Sequence, residues 1–271
     1  MHKRSKKGAS HNTGPGFGGP VHPHAGLLRL MQTSLRDTAH GLKAWTNAPH
    51  PEALHQARVA WRRFKGLRCF YRPMLPKPPQ AHRAVLQDLW RCSGALRNLD
   101  VALGSTLPVW RQKHPDIAPQ EWPQLIRQLQ SQRRTTRRHL YQALKQPETQ
   151  AGWRAWRRWL QQAHCAKTCS PKDWQVWTGQ RLRKLHQKIK HGLKATKPEP
   201  QHACRILMKQ ERYVLEGLVP EKLGQTLRRR LKRLRQAQRT LGQDQDQRAT
   251  LALIEQSGQF PVLTQAWRAS L

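Results

Sequence analysis

"LHQARVAWRRFKGLR", residues 54–68, sets one histidine at the head of a run of arginines and a lysine. An α-helix turns ~100° per residue, so His55, Arg58, Arg62 and Lys65 fall within an arc of ~80°, with Arg72 close by. Ala57, Ala60, Trp61, Phe64, Leu67 and Tyr71 fall on the opposite side. The spacing predicts a two-faced helix over 51–72, with one stripe turned to a core and the other a strip of positive charge. The stripe from 55 to 65 contains no acid, so it is not a face laced with internal ion pairs. Rows three to four residues apart on a helix sit ~5–6 Å from each other, which suits a ligand with anionic oxygens repeated along a line. Guanidinium groups bind such oxygens bidentately, lysine acts as a compact point charge, and histidine adds a donor whose charge depends on pH.

The whole chain has the same bias. Its 271 residues carry 50 Lys plus Arg against 15 Asp plus Glu, a formal net charge of +35. Self-repulsion at that level opposes a compact fold, and a standing polyanion partner is the simplest compensation. A generic soluble surface would mix both signs. Five cysteines (Cys69, Cys92, Cys165, Cys169, Cys204) make an odd count without disulfide-framework spacing, which points to a reducing compartment. The start, "MHKRSKKGASHNTGPG", is basic, but no apolar stretch follows it as in an export signal. No run approaches the ~18 apolar residues of a membrane span. A cytoplasmic location is therefore expected.

Residues 1–24 are rich in Gly, Pro, His, Lys and Ser and read as a disordered basic tail. From Ala25 onward the periodicity is helical and no β-branched alternation marks a strand, so the expected class is all-α. Helices are predicted at 25–46, 51–72, 80–105, 120–146, 148–163, 174–195, 201–218, 221–242, 244–257 and 261–270. The segments "NAPHPE", "PMLPKPP", "KHPDIAP", "TCSPKD" and "TKPEP" separate several of them. Leu182, Leu185, Ile189 and Leu193 predict one buried face; Leu227, Leu231, Leu234 and Leu241 predict another.

A repeat extends the opening pattern. "HQARVAWRRFK" begins at His55 and "HACRILMKQER" at His202, an offset of 147 residues. Each has an arginine three residues after the histidine, a β-branched residue next, and bases seven and ten residues after the histidine. "GALRN" from Gly94 and "GQDQD" from Gly242 lie at an offset of 148. Two landmarks at nearly one offset predict two related helical halves, 25–165 and 166–271, divided in "CAKTCSPKD". The second basic stripe is His202, Arg205, Lys209 and Arg212, opposite Leu207, Met208, Val214, Leu215 and Leu218; Glu211 intrudes on that apolar side. Arg228, Lys232, Arg235 and Arg239 form another row, at spacings 4, 3 and 4, and Arg134 with Arg138 add to the basic surface. Acids are sparse. Asp100, Glu216 and Asp246 are expected to orient nearby arginines or lysines by charge-assisted hydrogen bonds.

These residues resemble the CHAD family, the conserved histidine α-helical domain. The resemblance rests on His55-x-x-Arg58-Val59-x-x-Arg62-Arg63-x-Lys65-x-x-Arg68 and Gly94-x-x-Arg97-Asn98-x-Asp100-Val101. It continues in His202-x-x-Arg205-Ile206-x-x-Lys209, Arg212-Tyr213-x-x-Glu216 and Leu241-Gly242-x-x-x-Asp246, and covers about residues 25 to 260. It implies two helical-bundle halves related by pseudo-two-fold symmetry around a basic central groove or pore that binds inorganic polyphosphate, and an association with polyphosphate granules. The expected binding residues are His55, Arg58, Arg62, Arg63, Lys65, Arg68 and Arg97 in the first half. In the second they are His202, Arg205, Lys209, Arg212, Arg235 and Arg239. The chain departs from the family pattern at Asn98, where an aspartate is common, at Gln210, where a base is usual, and at Glu211, which replaces an apolar residue. A weaker second-half site or altered packing is the expectation there.

A binding protein rather than an enzyme is expected, with no cofactor and no metal site. Phosphoryl transfer needs metal held by carboxylates, and the acids here are scattered; no Gly-x4-Gly-Lys-Ser/Thr loop occurs. His164, Cys165 and Cys169 in "HCAKTC" have loose zinc-ligand spacing, and His2, His11, His22 and His24 in the tail could hold a metal only weakly. The rival partner is nucleic acid, with tryptophans such as Trp153, Trp156, Trp159, Trp174 and Trp177 stacking on bases. Tryptophans at helical spacing more often fill a core.

Overall fold

The computed structural model describes residues 23–163, 170–194, 198–218 and 224–271, with the side chains of 23–25, 171 and 198–202 excepted. Residues 1–22 of the candidate tail, the "HCAKTC" cluster and the side chain of His202 thus lie outside the described residues, while residues 23 and 24, expected in the tail, belong to the first helix. Ten α-helices follow in order: α1 (Pro23–Asn47), α2 (Pro51–Phe70), α3 (Arg83–Val101), α4 (Leu107–Lys113), α5 (Glu121–Lys145), α6 (Pro147–Gln162), α7 (Pro171–Gly192), α8 (Pro198–Gly217), α9 (Gln225–Glu255) and α10 (Pro261–Ala269). The fold is all-α, and no strand occurs among the described residues.

The punctuation in the sequence sets the helix starts. Proline stands in the first turn of α2, α4, α6, α7 and α10, where its missing N–H costs nothing and its fixed φ suits the helix. Ser170 caps α7 by accepting from the Asp173 backbone N–H, and the Asp173 carboxylate accepts from the Ser170 N–H in return. His50 caps α2 by accepting from the Glu52 N–H.

Several boundaries differ from the expectation. Helix α2 ends at Phe70, and Arg72 sits in a 3-10 turn, Arg72–Met74. The segment expected as one helix to 105 ends at Val101, passes through a π-helical turn at Ala102–Thr106 and continues as α4. Pro108 lies in the first turn of α4, where a proline is tolerated. The two helices expected at 221–242 and 244–257 form the single helix α9, because one interior glycine, Gly242, costs only about 1 kcal/mol against a long packed face. Leu193, expected in the buried face of α7, is 59% exposed. It stands at the C-cap, one residue past the helix end.

Two clusters make the core. The larger joins α1, α2, α6, α7 and α8 with the first part of α3, the last part of α5 and the start of α9. Its centre is aromatic: Trp61 stacks on Trp90 at 4.9 Å, and Trp153 and Trp156 meet it edge-on. The smaller joins Leu99, Ala102, Trp110, Trp122, Leu125 and Leu129 to Leu251, Ile254, Phe260 and Trp267. Each cluster draws residues from both sides of position 165.

Candidate functional site

Helix α2 packs against both α3 and α8, and α9 packs against both α8 and α3. This closed set of neighbours brings basic side chains from distant parts of the chain together. His55, Arg58 and Arg62 from α2 meet Arg97 from α3 and Arg205 and Lys209 from α8, with Asp246 of α9 as the nearby acid. Arg62 acts on both stripes, since its charge is felt by His55 and Arg58 on one side and by Arg205 and Lys209 on the other.

The arginines are held from behind. Arg58 Nη1 donates to Ser93 Oγ at 2.7 Å and to the Trp90 carbonyl at 3.2 Å. A Cβ at Gly94 would touch both terminal nitrogens of that guanidinium at 3.4 Å, so the glycine lets the planar group lie against α3. Arg205, the matching position of the repeat, donates Nη1 to the Leu241 carbonyl at 3.0 Å. Leu241 precedes Gly242 as Ser93 precedes Gly94. Gly242 itself faces open space. Arg62 donates Nε to the Arg58 carbonyl at 3.3 Å.

Burial and like charge depress the proton affinity of these groups. Desolvation first, then Arg62 and Arg97, pull Arg58 down to about 10, still charged at neutral pH. Desolvation, then Arg62, Arg205 and Arg212, pull Lys209 down to about 8, and Asp246 only partly offsets them. His55 is lowered by burial and by Arg97, Arg62 and Arg58, against a small opposing effect of Glu52. Arg205 is lowered by burial and Arg62, with Asp246 opposing. Burial raises the Asp246 carboxyl, while Arg97, Arg205 and Lys209 hold it down. The shifts of the bases record the same cost: cations crowded and partly removed from water without enough counter-charge. An anion placed among them would relieve it.

Other expected site residues lie elsewhere. Arg63 turns away from the cluster and donates Nη2 to Glu216 Oε2 at 3.3 Å. Glu216 also holds Arg235 at 3.1 Å and Arg212 at 3.8 Å, so one carboxylate ties α2, α8 and α9. Arg63 and Arg212 both approach the Tyr213 ring, at 5.9 and 4.9 Å. Arg68 lies over the Trp156 ring at 5.5 Å; burial lowers its proton affinity, with Arg83 and Arg72 adding to the effect and Cys69 opposing. Lys65 stands between the groups, lowered by desolvation, then by Arg68 and Arg58. Arg239 is exposed on α9 and has no ion pair among the described residues. Asp100 is buried and accepts from Arg133 Nε at 2.6 Å, away from the cluster.

Glu211 is fully buried and pairs with Arg230 of α9, which also reaches the Leu182 carbonyl at 3.4 Å. Desolvation pulls Arg230 down to about 10. The acid that breaks the apolar face of α8 is thus answered by a base on the next helix. Ser93, Trp90, Tyr213, Arg133 and Arg230 escape sequence reasoning. For Ser93 a signal exists, since it directly precedes the Gly94 motif; for the others only the fold supplies the partner.

The tryptophans expected either to stack on bases or to fill a core do the latter. Trp153, Trp156 and Trp174 are buried, and Trp159 and Trp177 pack against the same core. No group of three or more His, Cys, Asp or Glu that could hold a metal occurs among the described residues. No helix among them is long and apolar enough to cross a membrane.

The sequence profile of one family, the CHAD domain, matches residues 29–255. Among solved structures, the CHAD domain from the plant Ricinus communis superposes with a TM-score of 0.71 at 24% identity, covering 90% of this chain and 82% of that one. PptA from Streptomyces chartreusis superposes with a TM-score of 0.68 at 15% identity, covering 89% of this chain and 90% of that one. At these identities the two likenesses speak for the fold alone. No curated protein is significantly similar in sequence.

Proposed function

The chain belongs to the CHAD domain family, and from that premise we propose that it binds inorganic polyphosphate at the α2–α8 cluster. One observation carries the reading: six bases, His55, Arg58, Arg62, Arg97, Arg205 and Lys209, crowd together with only Asp246 and, beside His55, Glu52 acting against them, and Lys209 is driven down to about 8. Such a cluster is costly when empty and is neutralised by a chain that brings one negative charge per phosphate. The matched Arg58 and Arg205 anchors support a ligand path shared by two related halves around a central groove. Binding is the whole activity in this reading; the protein is not an enzyme and needs no cofactor. It works in the cytoplasm, at polyphosphate granules.

Nucleic acid competes for the same charge but loses the stacking contribution, because the candidate tryptophans are committed to the core. The test is competition between long-chain polyphosphate and single-stranded RNA, at matched phosphate and physiological salt. Polyphosphate should win, and its affinity should fall steeply with salt through counterion release. Preference for RNA overturns the reading, as does phosphate release from polyphosphate with added Mg²⁺.

A further inference from the structure

A second row of bases runs along α1 on a face that the α2–α8 cluster does not use. Arg29, Thr33, Arg36, His40 and Lys43 follow one another at spacings of 4, 3, 4 and 3, one face of the helix. Helix α6 packs against α1 and places Arg154 and Arg157 across from this row. Lys145, at the end of α5, closes one end. Between the rows lie two open cavities of about 800 and 650 Å³, which share Ala39, His40 and Arg157 and so form one trough. From Arg29 to Lys43 the helix rises ~21 Å at 1.5 Å per residue, so the trough can follow a linear ligand for several repeats. No carboxylate lines either cavity, and no residue of the α2–α8 cluster does.

The apolar lining narrows the ligand class. Leu35, Leu42, Leu144, Trp153 and Leu160 are all buried, so the floor is the core itself seen from outside. An acidic amphipathic peptide would find no exposed apolar anchor there. A nucleic-acid strand would find no aromatic face free for stacking, since Trp153, 6% exposed, is the lone aromatic lining. The basic side chains, by contrast, are exposed along both walls. Arginine forks and lysine points on a line fit a ligand that is all phosphate.

We propose that the trough between α1 and α6 is a second site for a linear phosphate chain, separate from the α2–α8 cluster. The ligand class rests on the polyphosphate reading of that cluster; the separate site rests on the trough alone. Two sites on one chain make the protein bivalent, able to gather two polyphosphate strands or to hold one long strand with added avidity.

The test is titration calorimetry with a linear oligophosphate short enough to fill one site. Roughly two oligomers should bind per chain. The triple variant Lys43→Ala/Arg154→Ala/Arg157→Ala should bind roughly one, while the control Arg134→Ala/Arg137→Ala/Arg138→Ala, which removes as many exposed bases from α5, should keep both. An unchanged count in the triple variant, or an equal loss in the control, overturns the proposal. Arg62→Ala/Lys209→Ala should empty the other site and leave the trough occupied. If that variant instead keeps full binding while the trough variant loses all of it, the polyphosphate reading of the α2–α8 cluster falls and the trough stands. A measurement on the native protein needs no variant: oligophosphate should shield Lys43 and Lys145 from an amine-acylating reagent, and unshielded amines would sink the proposal.

Discussion

Helices α2 and α8 carry the same repeat and use it differently. Arg58 on α2 is fixed by two acceptors on α3, whereas Arg205 on α8 has a single carbonyl on α9. At the next basic position α2 has Arg62 and α8 has Lys209, and the lysine is brought within reach of physiological pH, to about 8. Phe64, fully buried in the apolar face of α2, corresponds at the repeat offset to Glu211, fully buried in α8. The first stripe anchors its arginine on two acceptors and keeps a histidine whose proton affinity burial lowers. The second trades an aromatic for an internal ion pair and a guanidinium for a titratable amine. One sequence pattern can therefore serve two electrostatic roles, once its apolar side is packed by different means.

The largest expected effect is on stability. Glu211→Ala leaves Arg230 buried without its partner and should cost about 3–5 kcal/mol in denaturant unfolding. Phe64→Ala should cost a similar ~3–5 kcal/mol by cavity formation. The two differ in what repairs them. Joint replacement of Glu211 and Arg230 by leucine should recover most of the loss, since a buried pair is often matched by well-packed apolar residues. Failure of that double variant would mean the pair specifies how α8 docks on α9.

Binding comes next. Arg62→Ala removes the base that both stripes feel, and should weaken oligophosphate binding by about 1.5–3 kcal/mol, roughly ten- to a hundredfold. The same change should raise the pKa of the Lys209 amine, observable by NMR titration, because Arg62 is its strongest repelling neighbour. An unmoved amine would separate the two stripes.

The pH response of Lys209 is smaller and has a definite sign. A bound phosphate chain holds the amine charged, while the free protein releases its proton near pH 8. Affinity should be full below that pH and decline as pH rises from 8 toward the ordinary lysine value; Lys209→Arg should abolish the decline. Stability moves the other way. The unfolded chain keeps the proton to higher pH, so charged Lys209 opposes folding below pH 8, and this opposition fades as pH rises. His55, lowered by burial and Arg97, should add an increase in affinity as pH falls through the histidine range. His55→Gln should remove it.

The smallest effect concerns the two landmark glycines. Gly242 faces open space within α9, so Gly242→Ala should raise stability by about 1 kcal/mol and leave binding unchanged. A bulkier residue at Gly94 would push on the Arg58 guanidinium and should weaken binding with little effect on the helix itself.

Much of this was legible before any coordinates. The all-α class and the division of α2 into a core face and a cationic face follow from spacing, because side-chain direction in a helix is fixed by local geometry; the family was legible as a resemblance carried by the His55 and Gly94 motifs. The helix ends were legible where proline sits at a first turn, as in α2, α6 and α10, and misread at Gly242, where one residue admits both a break and a continuation. Glu211 looked like a flaw because its partner, Arg230, lies on another helix. Arg63, a binding residue only by the resemblance and off the stripe on the helical wheel, is turned to Glu216.

The sequence by itself determined which helices form and which face of each carries charge, since both depend on periods of a few residues. The tertiary structure alone decided that α2 and α8 sit against each other, that Arg62 is felt by both, and that Glu216 gathers Arg63, Arg212 and Arg235 instead of leaving them to the cluster. Those outcomes depend on how helices far apart in the chain dock, and docking is set by the shapes of whole faces rather than by any local repeat.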